Sequence, residues 1–235
     1  MRFDSFLEAL KKQGIFVFSL KDASRIIGKP IGYTKLFMNR VVKKGKVNRI
    51  ERGKYCLPET GEYEIASNIV YPSYISFLSA LAFHNLTTQI PVKIQVAYLR
   101  QKKEIEFKEI KIEFVKLHKK LFFGFKRIGN VSVADPEKAV IDGLYLPRKL
   151  PISEIYRLLD RKALDTAKLL EYAERLGSEI VKRRLGFLLE ETGEKQLPLL
   201  KKKPTRYLPL NPSLPLKGKK NRRWMLIINE KIEYS

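Results

Sequence analysis

Hydrophobic positions near the start of the chain fall at helical spacing. Phe3, Phe6, Leu7 and Leu10 share one face between Arg2 and Gln13, and Gly14 then stops the helix. After an apolar stretch over 15–18, Ser19 can cap a second helix that turns Leu20, Ala23, Ile26 and Ile27 inward and ends at Gly28. Lys29 and Pro30 form a turn. Pro30 is tolerated in the first turn of a third helix, which runs to Lys44 and buries Thr34, Phe37, Met38 and Val41. Gly45 ends that helix, and residues 47–50 and 54–57 read as two short strands joined at Arg52-Gly53, where glycine supplies the positive φ of a tight turn. Three helices followed by a hairpin constitute a winged helix-turn-helix over residues 1–58.

Residues 58–61 form a short polar linker into a second domain, 59–235. Helical patterns over 63–71, closed by Pro72, and over 76–86 come first. Segments 92–99, 104–107, 111–117 and 122–128 then alternate or run apolar with β-branched and aromatic residues, which predicts a mostly antiparallel sheet. A further strand over 131–134 leads to a helix that Asp135 caps, with Pro136 at its first position and Ala139, Val140, Leu144 and Tyr145 supplying the buried face. Apolar residues three and four apart over 153–159, 163–176 and 178–190 predict a helical series. The tail has proline turns at Pro209, Pro212 and Pro215, a basic run over 217–223 and an apolar strand over 224–228. The expected class is α+β, with the winged helix followed by a mixed domain.

Charge sharpens this outline. The chain carries a formal net charge of +22 over 235 residues, and the excess sits at its two ends. Residues 1–58 hold 14 Lys and Arg against 4 Asp and Glu, residues 195–235 hold 11 against 2, and everything between holds 22 against 19. A basic excess confined to particular segments suits a polyanion, because phosphate neutralisation with counterion release supplies most non-specific nucleic-acid affinity. On the third helix, Tyr33, Lys35, Asn39, Arg40 and Lys43 share the polar face, beside Lys29 in the preceding turn, and these types reach phosphates and base edges from a recognition helix. Arg40 is the foremost candidate for a base contact. Arg49, Arg52 and Lys54 cluster at the hairpin, where a wing meets the backbone or minor groove. In the tail, Lys201, Lys202, Lys203, Lys217, Lys219, Lys220, Arg222 and Arg223 lie near Tyr207 and Trp224. That mixture reads equally as a second nucleic-acid surface and as a solvated tail with Trp224 in the core.

Cys56 is alone and cannot form an internal disulfide, and the N-terminus lacks the apolar stretch and cleavage site of a signal peptide, so the expected location is the cytosol. No run approaches the roughly 18 apolar residues of a membrane span, so no membrane partner is expected. The usage of Lys, Glu and Ile is compatible with a thermophilic source.

Two segments then carry a resemblance. YISFLSALAFHNL, residues 74–86, and VADPEKAVID, residues 133–142, resemble motifs of the AbiEi antitoxin family, in which a winged helix precedes the domain holding both. The resemblance covers nearly the whole chain. It implies an autoregulating antitoxin of a type IV toxin-antitoxin, or abortive-infection, system that binds inverted repeats in double-stranded DNA upstream of its own operon. It also implies functional pairing with a nucleotidyltransferase-like toxin, without requiring direct contact. No catalytic role follows for the motif residues.

The chemistry of the remaining candidates is thin. His84 and His118 are the only histidines, and no cluster has zinc spacing, so neither metal nor cofactor is expected. His84 reads as a helix-end residue with a satisfied hydrogen bond, and Ser76 and Ser79 as packing or capping residues, since no G-x-S-x-G elbow surrounds them. Asp135, Glu137, Lys138 and Asp142 invite comparison with a nuclease site, but Asp135 and Glu137 fit capping and helix-dipole roles better. Glu106 with Lys108, and Glu109 with Lys111, show E-x-K spacing, yet no Asp lies between Asp22 and Asp135 to complete a nuclease set. The leading expectation is a non-enzymatic DNA-binding regulator and antitoxin. A metal-dependent nuclease targeted by the winged helix and an RNA-binding regulator stand as alternatives.

Overall fold

The computed structural model describes residues 2–194 and 204–232. Its fold is α+β, and its contacts gather into two compact units. The first comprises the residues up to Ile75, Val92–Leu117 and Lys126–Val133; the second comprises Ser76–Pro91, His118–Phe125 and the chain from Ala134 onward.

The first unit begins with α1 (Phe3–Lys12), β1 (Val17–Ser19), α2 (Leu20–Ile27), α3 (Ile31–Lys43) and the hairpin of β2 (Asn48–Glu51) and β3 (Lys54–Cys56). Strand β3 lies between β1 and β2, antiparallel to both. The predicted inner faces meet in one core of Phe6, Leu10, Phe18, Met38, Val41 and Tyr55 with their neighbours. The Phe6 ring stands edge-on to Phe18 and Phe37, with centroids 5.7 and 5.6 Å away, a geometry worth ~0.5–1.5 kcal/mol per pair beyond simple burial.

Helix α4 (Glu62–Asn68) follows, and then a six-stranded sheet built from β4 (Ser73–Ile75), β5 (Ile94–Tyr98), β6 (Ile105–Phe107), β7 (Ile110–Lys116), β8 (Phe125–Ile128) and β9 (Val131–Ala134), in the order β6-β7-β5-β4-β9-β8. This corrects the expected mostly antiparallel sheet. Strand β5 is antiparallel to β4 but parallel to β7, and β4 is parallel to β9. The β6–β7 hairpin folds back so that β7, not β6, lies against β5, and alternation along a strand says nothing about that choice. Strand β4 has three residues, all buried, too few to show a period of two, so the pattern of the chain does not mark it. The strand expected to begin at 122 begins at Phe125, after a single 3-10 turn over Lys119–Leu121.

In the second unit, α5 (Phe77–Phe83) and α6 (Pro136–Tyr145) are joined by α7 (Ile152–Asp160), α8 (Thr166–Leu176) and α9 (Glu179–Glu191), which form the predicted helical series. A small sheet of β10 (Leu208–Pro209), β11 (Lys219–Asn221) and β12 (Leu226–Ile228) follows, with β12 central. Gly186 of α9 lies against Trp224, and a Cβ there would come within 2.1 Å of the indole, so glycine is required for this close approach. Asp135 stands at the start of α6 but makes no capping hydrogen bond. Its carboxylate instead accepts a hydrogen bond from Tyr172 at 2.9 Å and pairs with Lys168 at 3.1 Å. Among the described residues no helix is long and apolar enough to cross a membrane.

Candidate nucleic-acid interface

The α2–turn–α3 segment is held by local polar contacts. Ser19 Oγ accepts from the Asp22 amide at 3.1 Å, and the Asp22 carboxylate accepts from the Ser19 amide at 2.9 Å, a reciprocal capping box. Burial alone would raise the Asp22 pKa, but hydrogen bonds from Ser19 and the charges of Arg25 and Lys54 hold it below its ordinary value. After Gly28, the Thr34 hydroxyl donates to Pro30 O at 3.1 Å and the Ser24 hydroxyl to Lys29 O at 2.6 Å, so the turn between the helices is tied from both sides. At the hairpin, Gly53 adopts φ +76°, and its carbonyl accepts from the Leu20 amide at 2.9 Å, which fixes the hairpin turn against the start of α2.

On this frame Thr34, Met38 and Val41 of α3 point into the core. Lys29, Tyr33, Lys35, Asn39, Arg40 and Lys43 are exposed, as are Arg49 and Arg52 of the hairpin, while Lys54 is half-buried. Among the described residues none of these cations pairs with a carboxylate. Glu51 is the only acidic residue between Asp22 and Glu59, and Lys102 binds it with Nζ 2.9 and 3.0 Å from its two oxygens. The exposed cations of α3 and the hairpin therefore form no ion pair, and of the set only half-buried Lys54 acts on a carboxylate, that of Asp22.

The structure adds residues to this face. Leu36, opposite Thr34, Met38 and Val41, is 61 % exposed, with Tyr33 at 47 % to one side of it. Gly32 lies one turn before Leu36 on the same side, and a Cβ there would meet nothing within 4 Å. A spacing of 100° per residue already places Leu36 outward; an apolar side chain does not announce itself as part of a polar face.

The two motif segments, by contrast, supply a buried cluster in the second unit. The Ser76 hydroxyl donates to Asp142 Oδ2 at 2.7 Å, and Lys138 Nζ pairs with Asp142 Oδ1. All three residues are fully buried, so the trio packs the start of α5 against α6 and offers no surface to a substrate. Burial pushes the Lys138 pKa down, and Asp142 opposes that shift. His84 stands at the C-terminal end of α5, with its Nε2 2.8 Å from Ala134 O. Glu137 meets Lys168 at 3.3 Å. Of the E-x-K residues, Glu106 and Lys111 face each other across the β6–β7 hairpin at 3.7 Å, and Lys108 and Glu109 sit in its turn. Among the described residues no group of three or more His, Cys, Asp or Glu side chains is placed to hold a metal ion.

The tail separates its two readings. Trp224 is buried, and its indole N–H donates to Glu190 at 2.5 Å. Lys217, Lys219, Lys220, Arg222 and Arg223 are exposed, with Lys220 over the Tyr207 ring and Arg223 over Trp224. Lys201, Lys202 and Lys203 lie outside the described residues.

No protein-family model matches the chain, and no curated protein matches it. Among solved structures the chain is similar to the crystal structure of the RV2827C protein from Mycobacterium tuberculosis, with a TM-score of 0.61 at 11% identity over 95% of this chain and 90% of that one. The likeness is one of fold.

Proposed function

We propose that this protein is a cytosolic transcriptional autoregulator and antitoxin of the AbiEi kind. Residues 1–58 act as a winged helix-turn-helix, with α3 entering the major groove of an inverted-repeat operator and the β2–β3 hairpin meeting the adjacent backbone as the wing. The observation that carries this reading is the outward face of α3 and the hairpin, rich in exposed cations that form no ion pair with a carboxylate among the described residues. A duplex presents the complementary charge, and α3 presents Asn39 and Arg40 among residue types that read base edges. The antitoxin half, directed against a nucleotidyltransferase-like toxin, rests on the segments 74–86 and 133–142, whose polar residues join in the Ser76–Asp142–Lys138 contact.

The test is fluorescence anisotropy of the protein on duplex DNA from its own promoter and on scrambled duplex, across a salt series. Tighter promoter binding at every salt concentration is the expected result. Equal, steeply salt-dependent binding to both would remove the operator reading, and magnesium-dependent cleavage of the duplex or preference for a structured RNA would replace it.

A further inference from the structure

Three of the nine exposed large hydrophobic residues among those described, Ile31, Tyr33 and Leu36, lie within the first six residues of α3. An isolated exposed leucine needs no explanation, but this one has a particular position. Leu36 is the most exposed of the three and sits midway along the outward face, with Gly32 one turn before it and Asn39 and Arg40 one turn after. A helix face meant only for solvent would carry charge at its centre. Here an apolar side chain interrupts the exposed cations Lys35, Arg40 and Lys43, and the preceding turn has no side chain. That profile fits a partner with an anionic rim and an apolar feature at close range.

The major groove has this form. Phosphates line its edges, and the C5-methyl group of thymine is its chief apolar feature, one that apolar side chains contact directly. Recognition helices present their N-terminal residues to the base edges, and Leu36 lies in the N-terminal half of α3. Resting on the operator-binding reading above, we infer that Leu36 reads a thymine methyl group in each half-site, and that Gly32 lets the helix come close enough for the contact. Arg40 and Asn39 supply hydrogen bonds to neighbouring base pairs, and Leu36 supplies the discrimination that hydrogen bonds cannot: thymine against a base with the same acceptor and no methyl group.

The experiment removes the thymine methyl groups and leaves the hydrogen-bonding edges unchanged. The promoter duplex is amplified with either dTTP or dUTP, and the full-length protein and its Leu36→Ala variant are titrated against both forms and against scrambled duplex. For the wild type, uracil weakens promoter binding about fourfold per contacted thymine, the worth of one buried methyl group. The Leu36→Ala variant binds the two forms equally, at the level of the wild type on uracil DNA, with unchanged thermal stability because the side chain is exposed. Wild-type binding that prefers the promoter yet ignores uracil overturns the inference and leaves the operator reading intact. A uracil penalty that persists in Leu36→Ala overturns it as well, by moving methyl recognition to another residue. No preference for promoter over scrambled duplex removes the operator reading and this inference together.

Discussion

Helices α3 and α9 are both 13 residues long and each carries three cations, yet they use them in opposite ways. Lys35, Arg40 and Lys43 of α3 recur on one side of the helix and all face outward. Lys182, Arg183 and Arg184 of α9 are consecutive, sweep more than half the circumference, and are all buried. Burying charge is tolerable only with hydrogen bonds to replace water, and α9 has them. Arg183 Nε donates to Trp224 O at 2.7 Å, and its Nη2 donates to Arg206 O at 2.8 Å and to Met225 O. Arg184 reaches Leu144 O at 2.7 Å and Pro209 O at 3.1 Å. Lys182 pairs with Glu174. Burial, with the charge of Arg183 adding to it, pushes the Arg184 pKa down to about 10. A basic helix is therefore not by itself a binding surface. In α9 the cations tie the terminal sheet to the helical series, and in α3 they face outward.

The largest effect that separates the two helices is on stability. Arg183→Ala removes the donors serving three backbone carbonyls and opens a hole in the second unit, an expected loss of about 3 kcal/mol or more. Trp224 is the only tryptophan in the chain, so its fluorescence during urea unfolding reads this loss directly. Arg40→Ala on the exposed face changes stability by no more than about 0.5 kcal/mol. Comparable losses from the two substitutions would erase the contrast.

A smaller effect is confined to the support of α3. The Asp22 carboxyl, ordinarily near 3.8, is lowered in the folded state, so its contribution is present above that value and is lost as pH falls through the folded pKa. Asp22→Asn is expected to destabilise the protein at neutral pH, with the gap to wild type narrowing steadily below about pH 4. Urea midpoints collected from pH 6 to pH 2.5 check this, and a constant gap would assign the loss to capping geometry instead of charge.

How far the sequence reveals this molecule depends on whether each signal is local. The helices α1 to α3 and the β2–β3 hairpin are legible because each has its own start and stop: Ser19 with Asp22, Gly28 before Pro30, Arg52-Gly53 at the turn. The candidate face was legible for the same reason, since helical spacing alone separates Lys35, Arg40 and Lys43 from Thr34, Met38 and Val41. Strand β4 was hidden by its length, and the pairing of β5 with β7 by the fact that a strand's pattern marks its faces and not its neighbours. The buried fate of Arg183 and Arg184 was illegible because their partners are carbonyls up to 42 residues distant, which carry no compositional mark. Asp135 has the sequence context of a helix cap and serves Tyr172 and Lys168 instead, a choice set by α8 packing beside it.

The most direct test of the outward role of α3 is the promoter affinity of Arg40→Ala/Lys43→Ala beside the wild type, measured by anisotropy across a salt series with urea midpoints recorded for both. The account predicts at least about a tenfold loss of affinity, a shallower dependence on salt because fewer phosphates are neutralised, and an unchanged midpoint. Unaltered affinity and slope in a folded variant would contradict it, and the cations of α3 would then be no more than a solvated surface.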